Sequence, residues 1–184
     1  MNTYQHIDQQ HYLPVFKRFP VTFVRGEGAW LYDENDKAYL DLLAGIAVNA
    51  LGHNHPKLTE AICTQAQRLM HVSNFFSTPP QALLSKKLSE ISGLPRVFLT
   101  NSGTESIEGA IKIARKHAFK NGRGHQILTA HQAFHGRTLG ALAATAKSGQ
   151  EAFAPLPEGF KKLDPLWGED LRRQLDASVA AVLV

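Results

Sequence analysis

Val97-Phe98-Leu99-Thr100-Asn101-Ser102-Gly103-Thr104-Glu105 is a short apolar run, a small polar loop and the first turn of a helix. Ile107, Ala110, Ile111, Ala114 and Ala118 then recur on one face of a repeat of about 3.6 residues, which predicts a helix over 105–119. The alternation continues outward. Gln126-Ile127-Leu128-Thr129-Ala130 reads as a strand, 139–146 as a short helical stretch, 171–175 as a helix and 179–184 as a last strand. Short apolar strands separated by helices require crossover connections. The pattern therefore predicts an α/β fold with a parallel-rich central sheet and helices on both faces.

Toward the N-terminus, Pro14 and Pro20 break an arm of weak patterning over 1–19. Thr22-Phe23-Val24, Trp30-Leu31-Tyr32 and Tyr39-Leu40-Asp41-Leu42, separated by turn residues, predict a small antiparallel meander. A helix is expected after Pro56 with Leu58, Ile62, Gln65, Ala66 and Leu69 on one face. A second is expected over 81–91 with Leu83, Leu84, Leu88 and Ile91 turned inward.

Composition narrows the function classes. The 184 residues are 43% hydrophobic and 20% charged, with 20 Lys+Arg against 16 Asp+Glu, as in ordinary globular domains. One cysteine, Cys63, excludes a disulfide framework; its place in a predicted helix reads as a structural thiol. No apolar run approaches the ~18 residues of a membrane span, and the first residues lack a signal-peptide pattern. No membrane partner is expected, and a cytoplasmic protein is the default reading. The basic residues form no stripe with interleaved aromatics, so no nucleic-acid partner is expected. His131 and His135 lack a converging carboxylate, and His53 and His55 flank a turn; no metal site is expected.

The loop after Leu99 has the form of an anion cradle. The first N–H groups of a helix have no intrahelical acceptor and sit at its positive end. Gly103 lets a phosphate approach, and Ser102 and Thr104 add hydroxyls. Alone, the same residues serve equally as a plain N-cap. The loop after Ala130 opens at the same sheet edge and carries Phe134, His135, Gly136 and Arg137. A flat ring and a bidentate guanidinium suit a planar cofactor and a carboxylate-bearing substrate.

Five blocks in this order resemble the class-III aminotransferases, which use pyridoxal 5'-phosphate. They are Gly26–Asp33, Asp41–His53, Ser73–Phe76, Leu99–Glu105 and Phe134–Thr138. The run Gly45–His53 is similar to the acetylornithine branch of the family. The resemblance implies a truncated fold-type-I transferase, with 1–55 an arm and part of a small domain and 56–184 the first part of a large cofactor-binding domain. It implies Ser102, Gly103, Thr104 and Phe134 as cofactor-binding residues and Arg137 as substrate-binding. The reaction implied is transfer of the δ-amino group of N-acetylornithine to 2-oxoglutarate, giving glutamate, in a homodimer. Succinylornithine, ornithine and 4-aminobutyrate enzymes share these motifs, and a non-catalytic cofactor-binding module is the other alternative. The aliphatic Ile46 favours a substrate whose α-amino group is blocked.

Family chains are roughly twice this length, as for a chain of more than one domain. The Schiff-base lysine is accordingly expected beyond Val184, with no catalytic residue in the segment. Lys147 is read as a surface lysine. The apolar run 179–184 reads either as a core strand of a longer protein or as an edge strand of a complete small domain.

Overall fold

The computed structural model describes residues 3–145, 150–163 and 168–184; Lys147 lies outside them. The chain forms two compact units, Met1–Ser77 and Thr78–Val184.

The first unit begins with helix α1, Thr3–His11, where the sequence predicts only an arm. The meander follows as β1 (Phe23–Glu27), β2 (Trp30–Asp33) and β3 (Ala38–Leu40), antiparallel in the order β1-β2-β3. Its second turn is organised by one carboxylate. Asp33 Oδ1 accepts from the N–H groups of Asn35 (2.9 Å) and Lys37 (3.0 Å), and Oδ2 accepts from the Tyr39 hydroxyl at 3.0 Å. Burial pushes this carboxyl up, but the three donors outweigh it and hold it below its ordinary range.

A second carboxylate ties the segment after β3. Asp41 Oδ1 accepts from Leu43 N (3.0 Å) and Ala44 N (2.8 Å), and Oδ2 lies 2.7 Å from His53 Nε2. The His53 contact, then the Ala44 N–H, hold Asp41 below the carboxylate range against its desolvation. His53 is itself fixed by a two-bond antiparallel bridge to Gly28. A short turn, α2 (Ala44–Ala47), and helix α3 (Pro56–Arg68) complete the unit. The predicted face of α3 is not covered here: no residue of the helix is buried, and Cys63 is exposed rather than packed.

The second unit holds the apolar core. Helix α4, Pro79–Ser92, starts on two prolines and stops at Gly93 in the left-handed conformation. Its Leu83, Leu84 and Ile91 are exposed, contrary to the inward face the sequence predicts. Residues 97–99 also differ from expectation. Among the described residues they pair with no strand.

Helix α5 (Gly103–Lys120) leads to β4 (Gln126–Ala130), and α6 (Leu139–Ala144) follows. Then come a 3-10 turn, β5 (Phe160–Leu163), α7 (Gly168–Gln174) and β6 (Val179–Leu183). β4 is central in the order β5-β4-β6, and both pairings are parallel. Leu128, Leu163 and Val179 form the core against Ala130 and Leu171. The continuous burial of Ile127, Leu128 and Thr129 is what a strand covered on both faces requires. The fold is thus α/β, with a parallel sheet flanked by helices and a small antiparallel meander.

Candidate active site

The site is built where two loops of the second unit meet. At the start of α5, Ser102 is extended (φ −150°, ψ 159°) and its Oγ accepts from Glu105 N at 3.2 Å. Its hydroxyl donates to Glu105 Oε2 at 3.0 Å, and Asn101 N donates to the same oxygen at 2.9 Å. These donors, Ser102 first, hold the Glu105 carboxyl below its ordinary range. The Ser102 side chain thus serves its own helix. The N–H groups of Gly103 and Thr104 donate to no protein partner among the described residues. A Cβ on Gly103 would meet nothing within 4 Å, so the space in front of these N–H groups is open.

The second loop, 131–138, leaves the end of β4. His131 N donates to Leu163 O at 2.8 Å, and His135 N donates to Thr145 Oγ1 at 3.0 Å. The His135 ring is buried, which pushes its pKa down and keeps the imidazole neutral near pH 7. Its Nε2 has no hydrogen-bond partner among the described residues. Phe134 is 62% exposed and Arg137 is exposed, with Arg137 Cζ 5.8 Å from the Phe134 ring centre.

The two loops touch through Thr104. Gly136 has φ +135°, and a Cβ there would lie 2.6 Å from Thr104 Cβ, so the crossing requires glycine. Thr104 Oγ1 is 3.3 Å from Thr138 Oγ1, and Thr138 caps α6 by accepting from Ala141 N. The structure therefore gathers Ser102, Gly103, Thr104, Phe134 and Arg137 along adjacent loops. Thr138 and Glu108, which link those loops, escape a sequence reading; the only signal is that Thr104 and Glu108 share one face of α5 at i, i+4. Among the described residues no group of three or more His, Cys, Asp or Glu gathers as metal ligands.

Residues 13–183 match the model of the family Aminotransferase class-III. The chain belongs to this family. It is 47% identical over 181 residues to the acetylornithine aminotransferase of Methanocaldococcus jannaschii, covering 97% of this chain and 46% of that relative. It is 46% identical over 173 residues to the acetylornithine aminotransferase of Agrobacterium fabrum, covering 92% of this chain and 43% of that relative. The chain thus spans somewhat under half the length of these curated relatives.

Among solved structures, it is similar to the ornithine aminotransferase of Toxoplasma gondii, with TM-score 0.88 and 30% identity. That likeness covers 97% of this chain and 44% of the other. The N-acetylornithine aminotransferase of Stenotrophomonas maltophilia matches with TM-score 0.74 and 36% identity, over 96% and 43%.

Pyridoxal phosphate is the cofactor of this family, and the site fits it. Two unpartnered N–H groups at a helix start suit a phosphate, and the open space at Gly103 admits one. An exposed aromatic face on the adjoining loop suits a planar ring.

Proposed function

We propose that this chain supplies the phosphate, ring and carboxylate contacts of an aminotransferase. In this reading it moves the δ-amino group of N-acetylornithine to 2-oxoglutarate, yielding glutamate. The observation that supports the reading is the crossing at Thr104 and Gly136 of the Ser102-Gly103-Thr104 turn and the loop that carries Phe134 and Arg137. When bound, pyridoxal phosphate supplies the carbonyl that takes up the amino group and the electron sink that makes proton removal feasible.

The chain's own residues then have separate tasks. Gly103 and Thr104 hold the phosphate through their N–H groups, backed by the positive end of the 18-residue helix α5. Ser102, with Glu105, fixes the cap that leaves those two N–H groups free for the phosphate. Phe134 covers one face of the ring. Arg137 grips a substrate carboxylate with two parallel hydrogen bonds, in both half-reactions.

The domain division at residue 55, a cytoplasmic location and a homodimer belong to the same proposal. Among the described residues no helix is long and apolar enough to cross a membrane. Leu42, Leu43, Ile46, Val48 and Leu51 expose more than half of their surface, an apolar run that a subunit interface would cover. A second reading, ornithine as donor, is favoured by the structural likeness to the Toxoplasma gondii enzyme. A panel of N-acetylornithine, succinylornithine, ornithine and 4-aminobutyrate separates the donors.

The site assignment is tested by Arg137→Lys in the complete enzyme. An ammonium offers a point charge in place of a fork. kcat/KM should fall for both amino donor and 2-oxoglutarate by about 2–4 kcal/mol in activation free energy, with the cofactor spectrum unchanged. Single-turnover kinetics of each half-reaction read this directly. Wild-type efficiency in both would remove Arg137 from the substrate site.

A further inference from the structure

Glu108 stands one helical turn beyond Thr104 on α5 and has no part in the contacts assigned above. Its Oε1 accepts from the Thr138 hydroxyl at 2.5 Å and from Ala141 N at 3.2 Å. The carboxylate lies flat against Gly140: a Cβ there would be 2.6 Å from both of its oxygens. A side chain of α5 therefore caps α6, at the end of α6 that attracts negative charge.

The same contact orders the hydroxyls of the site. Thr138 has one hydroxyl hydrogen. With that hydrogen donated to Glu108, its oxygen accepts from Thr104, 3.3 Å away. A short chain of hydrogen bonds thus runs from Glu108 through Thr138 to Thr104, the residue whose backbone N–H lies in the cradle. Phe134 and Arg137 sit within the span held at its far end by Thr138. The near end is held independently, by His131 on Leu163 and His135 on Thr145. Of the hydrogen bonds described for this loop, those through Thr138 are the ones that tie it to α5.

We propose that Glu108 is a positioning residue: through Thr138 it sets the Phe134 ring and the Arg137 guanidinium against the Gly103-Thr104 cradle. The proposal rests on the function proposed above. A carboxylate accepting from a hydroxyl makes a short, charge-assisted bond, and losing it frees the loop to shift without touching the phosphate donors. Shifts of an ångström in substrate-holding groups cost up to about a hundredfold in rate.

The test compares wild type, Glu108→Ala, Glu108→Gln and Thr138→Val in the complete enzyme. In Glu108→Ala, kcat/KM for 2-oxoglutarate should fall about tenfold while the cofactor dissociation constant stays within about threefold, as expected when the carboxylate grip is misaimed and the phosphate donors are untouched. Visible circular dichroism of the bound ring, at saturating pyridoxal phosphate, should fall by about half or more as the Phe134 face moves. Amide hydrogen exchange across 134–141 should quicken about tenfold, with or without cofactor.

Glu108→Gln keeps an oxygen acceptor and should recover most of each loss. Thr138→Val, which breaks the chain at its middle, should reproduce the alanine phenotype and carries the test if Glu108→Ala does not fold. Unchanged exchange and dichroism in Glu108→Ala, or glutamine no better than alanine, overturns the proposal. A wild-type enzyme that binds no pyridoxal phosphate overturns the proposed function instead, and the exchange of the cofactor-free protein then decides Glu108 alone.

Discussion

In residues 78–184, Ile127, Leu128 and Ala141 keep at most 1% of their surface exposed, and Leu128, Leu163 and Val179 close over one another. In residues 1–77 the one buried residue among those described is a carboxylate, Asp33, which keeps 9% of its surface exposed. The first case is held by apolar burial, worth ~25 cal/mol per Å² removed from water. The second is held by local polar bonds: Asp33 on its turn, Asp41 on Leu43, Ala44 and His53. The candidate site belongs to the region with the core. A cradle must hold its N–H groups still to bind an anion, and packing against a buried sheet supplies that stillness.

The largest effect should come from the core itself. Leu128→Ala removes buried methyl groups from the centre of the sheet and should cost about 3 kcal/mol, read by native-state hydrogen exchange of the β4 amides. A loss below about 1 kcal/mol would show that β4 is not the stabilising centre.

Gly103→Val asks whether the cradle can be damaged while its support stays intact. The added side chain enters open space, so β4 protection should not change. Phosphate approach is obstructed, and pyridoxal phosphate affinity should fall about tenfold or more in titration of the apoenzyme. Undiminished affinity would take Gly103 out of the phosphate site.

The smallest effect concerns acid and the first region. Asp33 and Asp41 both have carboxyl pKa values depressed in the folded state. Their contribution is present above the unfolded value of about 4 and is lost as pH falls through the lower folded value. Amides of 33–44 should therefore lose protection below pH ~4 before those of β4 do, and Asp41→Asn should show a weaker acid dependence over 41–44. Simultaneous loss in both regions would contradict the division.

The sequence made the central elements legible because their signals are local. Gln126–Ala130 is a strand at the predicted bounds, and α5 starts at the predicted Ser-Gly-Thr turn. β5 was not legible: Lys161 and Lys162 interrupt its apolar pattern and are exposed on the outer strand. Residues 97–99 carry a strand's composition, but a strand exists only through its ladder, and no ladder forms there. The exposed face of α4 shows the same gap, since periodicity marks an apolar face without saying what covers it. In the site, each loop announces its own chemistry. The Thr104–Thr138–Glu108 connection does not, because it joins side chains thirty or more residues apart.

The order β5-β4-β6 also has a consequence for synthesis. β4 is the first of the three strands to leave the ribosome, yet both of its neighbours are encoded later, at 160–163 and 179–183. At roughly 5–20 residues per second, it waits on the order of seconds with both edges unpaired. The strand that anchors the site therefore spends that interval as an apolar segment with unpaired edges, open to contacts other than its native ones.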